Sequence, residues 1–142
     1  MTIEAILRTK SADVTAVQRT TTVAEAVKLL AEKRIGAVPV LDGDTVAGIF
    51  SERDVIHALA THGAVALDRP IGDMMTAPAI TVTRDEAVLG ALSLMTRRRI
   101  RHLPVIEGGR MIGFISIGDL VKYRIDRIEA DAEAMRSYIQ SA

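Results

Sequence analysis

The sequence contains no cysteine and no tryptophan, and only two phenylalanines and two tyrosines among 142 residues. Without cysteine, the chain forms no disulfide and offers neither a thiolate nucleophile nor a zinc–thiolate site. So few aromatic side chains disfavour the stacking surfaces that bind single-stranded nucleic acid. Eighteen basic and eighteen acidic residues cancel, so no overall field favours a nucleic acid or an anionic membrane as partner.

Long apolar runs are also missing. None approaches the roughly 20 residues that cross a bilayer, and residues 1–10 lack the apolar stretch of a signal peptide. We therefore expect a cytoplasmic protein. Hydrophobic residues make up 49% of the chain, which is enough to pack a core.

The strongest pattern that is present is an internal repeat with an offset of 65 residues. Residues 34–54 align with residues 99–119, and eight of the 21 pairs are identical. Both copies contain glycine, two apolar residues, serine, two variable positions and aspartate, as G-I-F-S-E-R-D and G-F-I-S-I-G-D. Such self-similarity predicts two copies of one folding unit.

Each repeat is predicted to contain a strand, a helix, two strands and a second helix. The first helix of each has an apolar face with helical spacing, at Val23, Ala26, Val27 and Leu30 and again at Val88, Ala91, Leu92 and Met95. Thr22 and Glu25 predict a capping box for the first of these helices. The two following strands form a hairpin, whose Pro39 or Pro104 cannot donate to the ladder and is expected at an edge or strand start.

The remaining predicted elements frame these units. First strands are expected at residues 14–17 and 79–82, and short helical lead-ins at 3–7 and 71–75. We expect an α+β fold in which the two repeats pack as a pseudo-two-fold pair, because one repeat of about 60 residues is marginal alone. The predicted boundaries are 1–65 for the first repeat with its lead-in, 66–125 for the second and 126–142 for a C-terminal helical extension.

With its repeat, proline hairpins and G-h-h-S-x-x-D motif (h, apolar), the chain resembles a tandem cystathionine-β-synthase (CBS) domain pair, or Bateman module, of the stand-alone bacterial type. The resemblance covers residues 8–124. It implies regulatory binding of an adenine nucleotide: AMP, ADP, ATP, NAD(H) or S-adenosylmethionine. It implies no required cofactor and no catalysis. Such modules usually regulate an attached enzyme, channel or transporter, so a regulated protein is an expected but unidentified partner.

The two Ser-x-x-Asp motifs have two interpretations. Serine and aspartate at this spacing cap a helix reciprocally. The same carboxylate also accepts hydrogen bonds from vicinal ribose hydroxyls, while the helix start favours phosphate. The resemblance implies ligand binding by both copies, and the two roles are compatible.

The resemblance further implies that each site joins the motif of one repeat to strand edges of the other. The first site then contains Ser51, Arg53 and Asp54 with Ile80, Arg101 and His102. The second contains Ser116, Gly118 and Asp119 with Thr15, Gly36 and Ala37. The hairpin prolines Pro39 and Pro104 complete the predicted ligand-binding set.

The two predicted sites differ in charge. The first offers Arg53, Arg101 and His102 to phosphates, whereas the second is expected to be nearly uncharged and to hold an adenosine-like portion. The arginine run at 97–101 is interpreted either as a solvated helix end or as a phosphate contact. The three histidines are too scattered to predict a metal site or a hydrolytic triad.

The C-terminal segment repeats apolar residues at alternating steps of four and three, namely Val121, Ile125, Ile128, Ala132, Met135 and Ile139. This heptad pattern predicts a helix that pairs with another surface, and a homodimer is the simplest partner. The sequence thus favours a nucleotide sensor. The alternatives are an interaction module with vestigial clefts and, with less support, an enzyme or nucleic-acid-binding protein.

Overall fold

The computed structural model of the chain describes residues 1–10 and 13–141. It has an α+β fold with five helices: α1 (Ile3–Thr9), α2 (Val23–Lys33), α3 (Glu52–His62), α4 (Val88–Arg98) and α5 (Ile117–Ser141). The five strands are β1 (Val17–Gln18), β2 (Ala37–Asp42), β3 (Thr45–Ser51), β4 (His102–Glu107) and β5 (Arg110–Ser116). Two 3-10 turns, Gly63–Asp68 and Ile71–Asp73, join the repeats. The predicted pair of α+β repeats is confirmed.

The two hairpins have the same register. Strands β2 and β3 are antiparallel with an irregularity after Val40, and β4 and β5 are antiparallel with an irregularity after Val105. Because these two valines are 65 residues apart, the duplication extends to the hydrogen-bond ladder itself. The predicted capping box of α2 is also present, since Thr22 and Glu25 bond each other's backbone N–H.

The first strand of each repeat is shorter than predicted. Strand β1 begins only at Val17 and pairs in parallel with β2, while in the second repeat a single bridge joins Val82 to Val105. The preceding residues line cavities instead, with Val14 facing one and Ile80 the other. These residues therefore contribute to the cavity walls and not to the ladder.

Pro39 does not lie at an edge or strand start. It is the third residue of β2, the middle strand of the sheet β1-β2-β3, and it is buried. Its lack of an N–H is tolerated because β1 pairs with β2 only from Val40 onward. On the other side, the N–H and C=O of Ile49, opposite Pro39, bond to Thr76. Pro104 has the equivalent third position in β4.

Each repeat has its own hydrophobic core, and the lead-in of the other repeat completes it. Ile3 and Ile6 of α1 are buried in the core of the second repeat, the cluster that also contains Val88 and Leu103. Ile71 is buried in the core of the first repeat. The backbone follows the same exchange, because the N–H of Ile3 bonds Glu86 in the second repeat, just as the N–H of Ile71 bonds Thr21 in the first. The two repeats of the predicted pair are thus joined by an exchange of lead-ins.

The exchanged segments pass directly over the first glycine of each repeated motif. A β-carbon on Gly48 would lie 2.5 Å from the carbonyl oxygen of Thr76 and 2.9 Å from the sulfur of Met75. A β-carbon on Gly113 would clash with the side-chain tip of Leu7. Only glycine admits both segments as they stand.

We expect Gly48→Ala to destabilise the protein more than Gly113→Ala. The first substitution requires a backbone segment to move, whereas the second requires only a leucine side chain to rotate. Urea unfolding should show a loss of about 1–3 kcal/mol for Gly48→Ala and a smaller loss for Gly113→Ala. Equal losses would contradict this account of the crossing.

Candidate functional site

Two cavities lie between the repeats, each beside the N-terminal end of the helix that follows a repeated motif. The first cavity has a volume of about 320 Å³ and the second about 440 Å³. Both are in the size range of small-molecule sites. The first cavity is lined by Gly36, Ile49, Ser51, Glu52, Arg53, Asp54, Thr76, Pro78, Ala79, Ile80, Arg98, Arg99, Ile100, Arg101 and His102. The second is lined by Leu7, Lys10, Asp13, Val14, Thr15, Ile35, Ala37, His102, Ile112, Gly113, Phe114, Ser116 and Asp119.

At the first cavity, Ser51 and Asp54 form a capping box at the start of α3. The Oδ2 atom of Asp54 accepts the Ser51 N–H at 2.9 Å and the Ser51 hydroxyl at 3.1 Å. The other carboxylate oxygen accepts the hydroxyl of Thr76 at 2.8 Å, from the lead-in of the second repeat. The capping interpretation of the motif is therefore confirmed, and it holds the carboxylate at the cavity wall.

At the second cavity, Ser116 and Asp119 form the equivalent arrangement at the start of α5. The Oδ2 atom of Asp119 accepts the Ser116 N–H at 2.8 Å, and the Ser116 hydroxyl accepts the Asp119 N–H at 3.1 Å. A lysine replaces the threonine of the first cavity: the Nζ atom of Lys10 donates to Oδ2 of Asp119 at 2.7 Å and to the carbonyl of Phe114 at 2.8 Å.

The carboxyl of Asp119 is held in its charged form. Burial raises its pKa, but the hydrogen bond and the charge of Lys10 and the bonds from Ser116 lower the pKa more, so the net shift is downward. The group is therefore an acceptor at neutral pH.

Most of the predicted site residues line a cavity. Six of them meet at the first cavity, namely Ser51, Arg53, Asp54, Ile80, Arg101 and His102. Four meet at the second, namely Thr15, Ala37, Ser116 and Asp119. Gly36 lines the first cavity instead of the second. Pro39 and Pro104 are buried within their strands and line neither cavity, and Gly118 is exposed outside both.

Several lining residues were not predicted. Thr76 and Lys10 reach the two carboxylates from the lead-in segments, and no sequence spacing relates them to the repeated motifs. Arg99 belongs to the arginine run that was interpreted either as a solvated helix end or as a phosphate contact, and it was not among the predicted site residues. It lines the first cavity at the C-cap of α4, where its backbone is left-handed with a φ of 54°. Arg34, its counterpart in the first repeat, has the same left-handed backbone. The identity of these two arginines in the repeat alignment was the sequence feature that could have identified Arg99 as a site residue.

The cavities differ in charge, although not as the sequence suggested. Four arginines and two carboxylates line the first, namely Arg53, Arg98, Arg99 and Arg101 with Glu52 and Asp54. The second is lined by Lys10 with Asp13 and Asp119. The expectation of a nearly uncharged second site is therefore wrong. The first cavity has an excess of positive groups and the second an excess of negative groups.

His102 forms a wall that both cavities share. Its ring stacks on Phe114 of the second cavity, with ring centres 5.4 Å apart and planes inclined by 13°. Burial and the charge of Arg101 lower the pKa of His102, although Asp119 and Glu52 act in the opposite direction. The ring is therefore predominantly neutral at pH 7.

We expect His102 to make the folded protein less stable as the pH falls. Because its pKa is lowered on folding, the unfolded chain takes up this proton at a higher pH than the folded protein. Neutral His102 contributes fully to the free energy of unfolding above about pH 6.5, the pKa of histidine in the unfolded chain. This contribution is lost as the pH falls through the pKa of His102 in the folded protein. In His102→Gln, the unfolding temperature should depend less on pH between about pH 5 and 7 than in the wild type. Exposed His57→Gln is the control for the loss of a histidine side chain. A His102→Gln curve as steep as the wild-type curve would refute this assignment.

Comparisons with known proteins agree with this architecture. The chain is 38% identical over 124 residues to the mitochondrial CBS domain-containing protein CBSX3 of Arabidopsis thaliana, an alignment that covers 84% of this chain and 60% of that protein. A solved CBS-domain protein from Burkholderia ambifaria has a TM-score of 0.83 at 40% identity, over 89% of this chain and 95% of that one. The structure of CBSX2 in complex with AMP has a TM-score of 0.76 at 26% identity, over 88% and 96% of the two chains.

This chain thus spans about three fifths of the length of the Arabidopsis relative. In the described part of the chain, no helix is both long enough and apolar enough to cross a membrane. The sequence profile of the CBS domain matches residues 3–61 and 71–126, one match for each repeat. The chain therefore belongs to the CBS-domain family, and its two repeats, which exchange their lead-in segments, form a CBS-domain pair.

Proposed function

We propose that this protein is a regulatory sensor that binds an adenine nucleotide, such as AMP, ADP, ATP or NAD(H), in the cavities between its repeats. The protein performs no reaction in this proposal. Nucleotide binding instead changes its conformation or its oligomeric state, and a partner protein reads that change. A cytoplasmic location remains a prediction from the sequence.

The observation that carries the proposal is the repeated carboxylate at each cavity wall. Asp54 and Asp119 are each fixed by a serine cap, and each carboxylate retains acceptor capacity for the vicinal hydroxyls of a ribose. The N-terminal ends of α3 and α5 lie beside them and favour an anionic phosphate group. The AMP complex of CBSX2 supports an adenine nucleotide as the ligand.

The charge difference between the cavities supports a division of ligands. The first cavity, with its four arginines, suits a ligand with two or more phosphates, because guanidinium groups bind phosphate through paired hydrogen bonds. The second cavity, with Lys10 already bonded to Asp119, suits an adenosine-like ligand of low charge.

The position of the cavities suggests how a signal could arise. The first cavity is lined by Asp54 from one repeat and by Arg101 from the other, so a bound nucleotide contacts both. A ligand of this kind stabilises the relative orientation of the repeats that it fits best. The size of the response is then set by the difference in affinity between the two orientations.

A second candidate is an interaction module whose cavities bind nothing. It is favoured by the exposed apolar residues of α5, such as Ile125 and Ile139, which are 48% and 65% exposed. Nucleotide binding separates the two candidates.

We expect at least one nucleotide to raise the unfolding temperature. A thermal-shift screen would compare AMP, ADP, ATP, NAD, NADH and S-adenosylmethionine. A ligand at about 100 times its dissociation constant adds about 2.7 kcal/mol, which corresponds to several degrees for a chain of this size. The double variant Asp54→Asn, Asp119→Asn is the control. It retains an acceptor oxygen for each cap but removes both negative charges, so its unfolding temperature should rise less than that of the wild type with the same ligand. A flat response to all six ligands would favour the interaction module.

We also expect Arg101→Met to weaken ADP binding about ten-fold or more while leaving adenosine binding nearly unchanged, because it removes a charge-assisted contact to phosphate. Arg97→Met is the matched control, since Arg97 belongs to the same arginine run, is exposed and does not line the cavity. Isothermal titration calorimetry measures both ligands.

The division between cavities has its own test. Asp54→Asn should reduce ADP binding more than adenosine binding, and Asp119→Asn should do the reverse. If both substitutions weakened both ligands equally, the division would be wrong while nucleotide binding itself would stand.

A further inference from the structure

Helix α5 extends well beyond the body of the protein. It has 25 residues, which corresponds to about 37 Å at the ordinary rise of an α-helix. Its contacts with the core come from its first two turns, through Ile117, Leu120 and Tyr123. The residues at 125–141 are all exposed.

The exposed part has an apolar face, here called the α5 seam, which consists of Val121, Ile125, Ile128, Ala132, Met135 and Ile139. The five larger members are between 42% and 65% exposed in the single chain. A helix of this length that projects into water is marginally stable alone, and burial of one face is the usual source of its stability. The seam has the a and d spacing of a two-stranded coiled coil, with Ile125, Ala132 and Ile139 at a.

We propose that the α5 seam pairs with the seam of a second copy of this chain in a parallel, in-register coiled coil. The flanking charges favour this arrangement. In a parallel pair, each g residue lies beside the e residue of the following heptad on the partner. Arg124 then faces Glu129 of the other copy and Asp131 faces Arg136, and symmetry makes each pair occur twice. All four contacts are attractive.

The antiparallel arrangement with full overlap of the seam is disfavoured by the same charges. Opposed helices bring e positions against e and g positions against g. Glu129 of one chain then lies against Glu129 of the other, and Asp131 lies against Asp131. Lys122 of each chain lies against Arg136 of the other. Every one of these contacts joins like charges, so the chain specifies the orientation of its partner as well as its presence.

The contacts between α5 and the body lie at the start of the helix. Leu120 and Tyr123 pack on the body from the c and f positions, away from the seam, and Ile117 packs on it from a g position before the seam begins. From Ile125 onward the seam is exposed. Arg136 bonds Glu133 within the helix at 2.8 Å, but both side chains are more than 60% exposed. Such a pair contributes little, and Arg136 can exchange it for Asp131 of the partner. This inference does not depend on the proposed nucleotide binding.

The absence of native cysteine makes a cross-linking test direct. Met135→Cys places the new thiol at a d position, where the two copies face each other only in a parallel in-register pair. Under mild oxidation at micromolar concentration, Met135→Cys should form a disulfide-linked dimer. Ser137→Cys, at the outward f position, should do so far more slowly. Equal cross-linking of the two variants would overturn the proposal.

A mixture of two variants tests the opposite orientation. In an antiparallel pair, residue 125 of one copy would lie opposite residue 135 of the other. If Ile125→Cys and Met135→Cys cross-linked to each other faster than either cross-linked to itself, the helices would be antiparallel and the proposal would be wrong.

Charge reversal provides a second test that leaves the seam intact. Asp131→Arg and Arg136→Asp should each weaken the dimer about ten-fold, and the double variant should restore it. Arg127→Asp, at an exposed c position, is the control and should dimerise like the wild type. Light scattering measures the mass, which should be twice the chain mass of 15.3 kDa for the wild type. A wild-type mass of one chain, or a double variant no better than the single ones, would overturn the proposal.

Discussion

The close passage of each lead-in segment over a glycine of the opposite repeat is the constraint on which the rest of the structure depends. At Gly48 the passing segment is the backbone at Thr76, and at Gly113 it is the side chain of Leu7. This exchange delivers Ile71 and Ile3 to cores that would otherwise be incomplete. Since a repeat of about 60 residues buries little surface alone, the exchange explains why the two repeats form one unit.

The same passage builds the candidate site. Thr76 is part of the segment that passes over Gly48 and donates to Asp54, while Lys10 directly follows α1 and donates to Asp119. Each carboxylate is thus held from two sides, by its own serine and by the exchanged segment. A carboxylate fixed in this way loses little further conformational entropy when it accepts a ligand. Capping and ligand binding therefore suit one residue, and neither interpretation excludes the other.

The repeats are similar in backbone and different in chemistry. Their hairpins share a register, and Arg34 and Arg99 share a left-handed backbone. The cavities nevertheless differ, because the lining residues come from variable positions and from the lead-ins. His102 stands between them, stacked on Phe114 of the second cavity while it also lines the first. The proposed division of ligands depends on this difference between the two cavities.

The sequence alone determined the repeat, the two hairpins, the caps of α2, α3 and α5, and the residues Ser51, Asp54, Ser116 and Asp119 at the cavity walls. These features depend on short-range periodicity and on a fixed offset, which local chemistry reveals. The sequence could not reveal that Pro39 lies in a middle strand or that Gly36 lines the first cavity. Both features depend on neighbours that are distant in the chain. Only the tertiary structure decided that the lead-ins exchange and bring Thr76 and Lys10 to the carboxylates. The reason is that these contacts form only when each lead-in packs into the core of the other repeat, and no spacing of residues along the chain indicates that packing.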